Sequence, residues 1–196
     1  MKYLSVDIET TGLDAETCQI LSIGAVIEDT NDIKTLGQMP RFHAVIPHTK
    51  ITGEPYALNL NKDLIELINK YHMAKTTAER DLLGKSNEVS FVYESNMVRA
   101  LMDFLGTNGL GIGKVTVAGK NYQGFDEKFL KKLPGWNLLS FHRRVIDPAA
   151  LYMNWKEDSE LPDLNKCKIR AGVAGWVTHN ALDDAFDVVK ILRTKY

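Results

Sequence analysis

Residues 2–12, KYLSVDIETTG, decide the architecture, because they read as a buried β-strand that nonetheless carries two carboxylates, Asp7 and Glu9. Side chains alternate along a strand, so Asp7 and Glu9 stand together on one face while Val6 and Ile8 pack on the other. Two like charges held that close repel, and burial worsens the conflict, since an uncompensated carboxylate in a low dielectric takes up a proton. A hard divalent cation such as Mg²⁺ resolves it. A D-x-E pair alone is more often a strand end that faces water, so other acids able to reach the same place have to be found.

Outward from this strand, QILSIGAVIE (19–28) and RFHAVI (41–46) are rich in β-branched and apolar residues and are separated by turn-forming TTGLD and TNDIKTLGQMP. The three runs predict an antiparallel meander. A helix follows, with Asn61 as its cap, Leu60 stapling to Ile65, and Leu64, Leu67, Ile68 and Tyr71 on one face. Residues 74–93 are polar and carry no clear period. Met97, Leu101 and Leu105 mark a helix over about 95–105, ended by the glycines of GTNGLGIG. KVTVAG then reads as a strand, GFDEKFLKKL as a helix, FHRRVID as a strand leading through Asp147-Pro148 into a short helix, and NALDDAFDVVKILRT as the closing helix. The order predicts an α/β fold, a mixed five-stranded sheet of the ribonuclease H type covered by helices.

Two further acids sit where apolar residues belong. Asp126 shares a helical face with Phe129 and Leu130, and Asp184 shares a stripe with Ala181 and Val188, whereas Asp183 and Asp187 fall on a more polar side with Lys190. An acid in the first turn of a helix is also stabilised by the helix dipole without any further role, an explanation that suits Asp183, beside a cap at Asn180, better than Asp184. His179 lies just before that helix and would place an imidazole, titrating near neutrality, beside Asp184.

The segments VDIETTGLD (6–14), NYQGFDEKFL (121–130) and HNALDD (179–184) resemble, in order and spacing, the three motifs of the DEDDh 3′–5′ exonucleases. That superfamily includes the proofreading subunit of bacterial replicative polymerase, RNase T and oligoribonuclease. The resemblance runs from residue 4 to about 193 and implies the RNase H-like fold. It also implies that Asp7, Glu9, Asp126 and Asp184 ligate two Mg²⁺ or Mn²⁺ ions, with His179 as general base, so that nucleoside 5′-monophosphates leave the 3′ end of single-stranded DNA or short RNA. In the family the stretch aligned with ITGEPYALNLN (51–61) contacts the terminal nucleotide. Here it departs from the H-G-I-T of proofreading subunits, and the resemblance implies that Leu58 wedges between bases while Asn59 or Asn61 bonds to sugar or base. Thr10, Asn121 and Phe125, from the motifs, complete the expected substrate contacts. The same stretch reads equally as a turn and a helix cap.

Composition sets the remaining expectations. With 196 residues, 44% of them hydrophobic, and no Pro/Gly/Ser-rich linker, the chain reads as a single domain over 1–196, with a family-atypical insertion at about 74–93. Early acidic residues leave no room for a signal-peptide apolar stretch, and no run of 18 apolar residues occurs, so a soluble cytoplasmic protein without a membrane partner is expected. Cys18 and Cys167 lack metal or redox spacing and read as reduced and structural. A net charge of −1 leaves only local basic patches for nucleic acid: Lys128, Lys131 and Lys132; Arg143 and Arg144; Lys166, Lys168 and Arg170. An RNA-specific 3′ trimming enzyme is the alternative within the same chemistry. A catalytically silent RNase H-like binding module is the alternative outside it, although such a module has no need of a general base.

Overall fold

Alternating apolar residues form β1 (Lys2–Thr10), which pairs antiparallel with β2 (Ile20–Asp29), and β2 pairs antiparallel with β3 (Arg41–Val45). The computed structural model, which describes residues 1–111 and 113–196, adds two short parallel strands, β4 (Ser90–Phe91) beside β3 and β5 (Val117–Ala118) beside β1. The five-stranded order β4-β3-β2-β1-β5 leaves β1 paired on both sides, which fixes the position of anything it carries.

FHRRVID does not become the fifth strand. Among the described residues it makes only the isolated bridges Val115–Phe141 and Ala118–Ile146, because the adjacent Arg143 and Arg144 are both exposed and cannot alternate on a half-buried sheet. The polar stretch 74–93 supplies β4 instead.

The helices are α1 (Pro55–Leu60), α2 (Lys62–Met73), α3 (Thr77–Ser86), α4 (Glu94–Thr107), α5 (Asp126–Leu130), α6 (Pro148–Leu151), α7 (Leu164–Ala171) and α8 (Ala181–Arg193). Asn61 precedes α2, but its side chain does not cap that helix; it donates to the Thr10 carbonyl at 3.1 Å and the Ala57 carbonyl at 3.2 Å, because α1 already occupies the preceding turn. One face of β1 buries Leu4, Val6 and Ile8 in a core shared with Met97, Leu101 and Leu105 of α4 and Phe129 and Leu130 of α5. The opposite face receives α8.

Two contacts set how closely α8 lies. Ser5 Oγ donates to the Ala185 carbonyl at 2.7 Å, and a Cβ at Gly24 would stand 2.1 Å from the Ala181 carbonyl carbon. Only glycine lets the N-terminus of α8 rest on β2 at that point, and Gly24 is the cross-strand partner of Asp7.

Candidate active site

The approach of α8 to Gly24 brings acids from distant parts of the chain together. Asp7, Glu9 and Asp184 each offer a carboxylate oxygen within 4.8 Å of the others. The start of α8 is fixed by Asn180, whose side-chain oxygen accepts from the backbone N–H groups of Leu182 and Asp183 at 3.1 and 3.2 Å, as its capping position predicts. Asp126, the first residue of α5 and only 2% exposed, approaches from the other side, and its charge is the strongest of those acting on Asp7. Asp183 points to solvent.

The protein compensates these carboxylates only in part: Asn61 beside Glu9, Lys120 near Asp126 and Lys168 near Asp184 oppose their shifts without reversing them. Burial, then the charges of Asp126, Glu9 and Asp184, push Asp7 well above the usual carboxylate range. Burial and Asp184 raise Glu9 to about 8, burial raises Asp126 to about 7 against the pull of the backbone N–H groups of Asp126 and Ile8, and burial raises Asp184 to about 6 against the Thr178 N–H. Asp126 Oδ1 and Asp184 Oδ1 are buried without a hydrogen-bond partner. Four carboxylates with raised pKa values, two of them holding an orphaned oxygen, fit a divalent cation of the hard, oxygen-seeking class.

His179 stands at the mouth of this cluster, exposed, with φ +53°. That left-handed conformation is costly for a residue with a Cβ and persists only where its surroundings impose it. They do so through the preceding loop: Lys168, buried on α7, forms an ion pair with Asp187 of α8 and donates to the Trp176 carbonyl at 3.2 Å, while the Asn165 side chain accepts from the Val177 N–H at 2.8 Å. Asp187, placed by periodicity on a polar side, is therefore buried, with Lys190 as its second partner at 2.7 Å.

A groove of about 340 Å³ runs past Asp7, Glu9, Asp184 and His179, and Thr10, Asn61 and Phe125 line it, whereas Asp126 lies outside its walls. Leu58 and Asn59 are not among its walls; α1 presents Tyr56, Ala57 and Leu60 there instead. The α1 turn was not apparent in the sequence, and Tyr56 and Leu60, four apart, share a face only once it is known to be helical. Asn121 is also outside the wall: at φ +56° its backbone N–H donates to Asp147 Oδ2 at 2.9 Å, and its side chain turns toward Gly124, where a Cβ would meet its Oδ1 at 2.2 Å. Its neighbour Lys120 faces the groove.

Much of the basic sequence is occupied elsewhere. Lys166 and Arg170 both bind Asp158, Lys168 binds Asp187, Lys131 pairs with Glu127 and Lys132 with Glu16. Among the described residues no helix is long and apolar enough to cross a membrane.

Comparison with known proteins follows the same lines. No family model matches the chain. It is 25% identical over 190 residues to an oligoribonuclease of Neisseria meningitidis serogroup C, covering 96% of this chain and 87% of that protein. A segment of Arabidopsis thaliana mitogen-activated protein kinase kinase 7 also aligns at 25% over 175 residues, 56% of its length. The present sequence, however, contains no G-x-G-x-x-G, H-R-D or D-F-G of the protein kinases. In fold the chain is similar to the nuclease domain of 3′hExo, a DEDDh family member solved bound to rAMP, with TM-score 0.61, 16% identity, and 97% of this chain and 89% of that one covered. It is also similar to E. coli Exonuclease I solved with a dT13 oligonucleotide, with TM-score 0.61 and 14% identity over 99% of this chain, which spans 40% of the length of that enzyme.

Proposed function

We infer that this chain is a 3′–5′ exonuclease of the DEDDh type, which hydrolyses the terminal phosphodiester of single-stranded nucleic acid and releases nucleoside 5′-monophosphates. The observation that carries the proposal is the convergence of Asp7, Glu9 and Asp184, with buried Asp126 acting on Asp7, two of the four acids holding an orphaned buried oxygen, near a histidine held in a strained backbone conformation at an open groove. Asp7, Glu9, Asp126 and Asp184 would hold two Mg²⁺ or Mn²⁺ ions. Such ions supply charge neutralisation at the scissile phosphate and lower the pKa of the attacking water.

The protein's own contribution is positional. His179, exposed at the groove mouth, accepts the proton of the attacking water and passes it to solvent. Phe125, Tyr56 and Leu60 offer apolar faces to the terminal bases, a mode of contact that tolerates any base and needs an unpaired end. Asn61, tied to Thr10 and Ala57, fixes the α1 wall against the strand that carries Glu9. We read residues 1–196 as one exonuclease unit with α3 and β4 as its family-atypical part, working in the cytoplasm.

RNA-specific trimming is the second reading, favoured by the match to an oligoribonuclease over nearly the whole chain. The test is a time course with matched 5′-labelled DNA and RNA oligomers in Mg²⁺. A ladder shortening one nucleotide at a time, abolished by EDTA, is the expected result. Internal fragments at the earliest times, or undiminished activity in excess EDTA, would sink the proposal, and the faster of the two oligomers decides between the readings.

A further inference from the structure

A cleft of about 560 Å³, larger than the catalytic groove, lies away from the carboxylates, between β3, β4, α2 and α3. It is lined by the cations Arg41, Arg80 and Lys85 and by the aromatic rings of Phe42, Tyr71 and Phe91. None of the three cations is in a salt bridge with a carboxylate among the described residues. The Arg80 guanidinium lies over the Tyr71 ring at 5.1 Å with its Nε unpartnered, and Tyr71 packs on Phe91 with ring centroids 4.4 Å apart.

This cleft is continuous with the catalytic groove. Asp7, Gly24 and His43 form one cross-strand row, so His43 emerges on the same sheet face as the acids, one strand beyond the point where α8 touches β2. A second hollow of about 320 Å³ shares His43 with the basic cleft and shares Glu9, Leu60, Asn61 and His179 with the catalytic groove.

We propose that this cleft binds the upstream part of the single strand whose 3′ end lies among the carboxylates, its phosphates on Arg41, Arg80 and Lys85 and its bases toward the aromatic wall. The proposal rests on the exonuclease reading for the position of the 3′ end. Cations that track a backbone beside aromatic faces are the general arrangement for unpaired nucleic acid. Asp81 and Glu88 also line the cleft, so the fit lies in cations without a carboxylate partner standing beside rings, Arg80 over Tyr71 above all, rather than in net charge. It gives the stretch 74–93 a purpose, because α3 carries Arg80 and Lys85.

Binding of 5′-fluorescein-labelled oligothymidylate and oligouridylate of about 12 nucleotides, followed by anisotropy in EDTA, tests this without cleavage. Lys85→Gln should weaken binding of both and flatten the dependence of log K on log salt by about 0.7, the value for one lost phosphate contact to a single strand. Asp81→Asn should tighten binding, a gain that impaired folding cannot mimic. The advantage of long over about 3-nucleotide oligomers should shrink in Lys85→Gln. Unchanged affinity and salt slope in both variants, or wild-type affinity independent of length, would overturn the proposal. The two readings fail separately: absence of cleavage in Mg²⁺ with Lys85-dependent binding removes the exonuclease, whereas cleavage with length-independent binding removes the cleft.

Discussion

Asp7 is the residue at which every charge in the site meets. Its carboxylate feels Asp126, Glu9 and Asp184, and Lys120 near Asp126 and Lys168 near Asp184 do not offset the rise. Asp7→Ala should therefore lower the cleavage rate by about 10³ or more while leaving the melting temperature in EDTA unchanged or higher, because a repelled buried carboxylate is removed. A large loss of stability in EDTA would show that Asp7 holds the fold rather than a metal. The residues around it have separable signatures. His179→Ala should reduce kcat by about 10²–10⁴ with Mn²⁺ binding intact by calorimetry, since a general base contributes on that scale. Asp184→Asn should weaken Mn²⁺ binding itself, and the exposed Asp183→Asn should do neither. If His179→Ala keeps near wild-type turnover at saturating Mg²⁺, the histidine does not act as the base.

At the scale of elements, the site depends on how closely α8 can lie on the sheet. A Cβ at Gly24 would stand 2.1 Å from the Ala181 backbone, and backbone on both sides cannot rotate away. Gly24→Ala should thus lift the start of α8, cost about 1–3 kcal/mol as overpacking does, and weaken Mn²⁺ binding because Asp184 leaves the trio. Equal metal affinity with lowered stability would mean that α8 tilts without moving Asp184. The same dependence explains what could be read from sequence. β1, β2, β3 and α8 are strongly periodic runs, and Asp7, Glu9 and Asp184 lie on the faces their spacing dictates. β4 and β5, two residues each, are strands only because β3 and β1 offer them partners, so FHRRVID looked more like a strand than Ser90–Phe91 did. Asp187 is buried rather than on a polar face for a similar reason: the lysine that permits its burial comes from α7, and no period within α8 records it. The sequence of 51–61 reads as a turn and a cap, whereas α1, as a helical turn, shows Tyr56 and Leu60 to the groove rather than Leu58 and Asn59.

Across the whole molecule the four acids impose a pH dependence whose direction follows from their shifts. Glu9 is raised from 4.5 to about 8, Asp126 from 3.8 to about 7, Asp184 from 3.8 to about 6, and Asp7 in the same direction. Each therefore holds a proton in the folded chain at pH values where the unfolded chain has released it. A group of this kind contributes stability that is fully present below its unfolded pKa and is lost as pH rises through its folded pKa. The metal-free protein should lose melting temperature steadily from about pH 5 to about pH 8. Asp158 acts in the opposite sense, held below the usual carboxylate range by Arg170 and Lys166, so its contribution disappears only on further acidification. A divalent cation replaces the protons, which makes its stabilising effect largest where they have left. Mn²⁺ should raise the melting temperature strongly near pH 8 and little near pH 5, with affinity increasing over the same interval. Scanning fluorimetry in EDTA and in Mn²⁺ across that range reads both slopes at once. A metal-free melting temperature that rises between pH 5 and pH 8, or a Mn²⁺ effect equal at the two ends, would mean that the acids are compensated within the protein and that no cation is needed to hold them together.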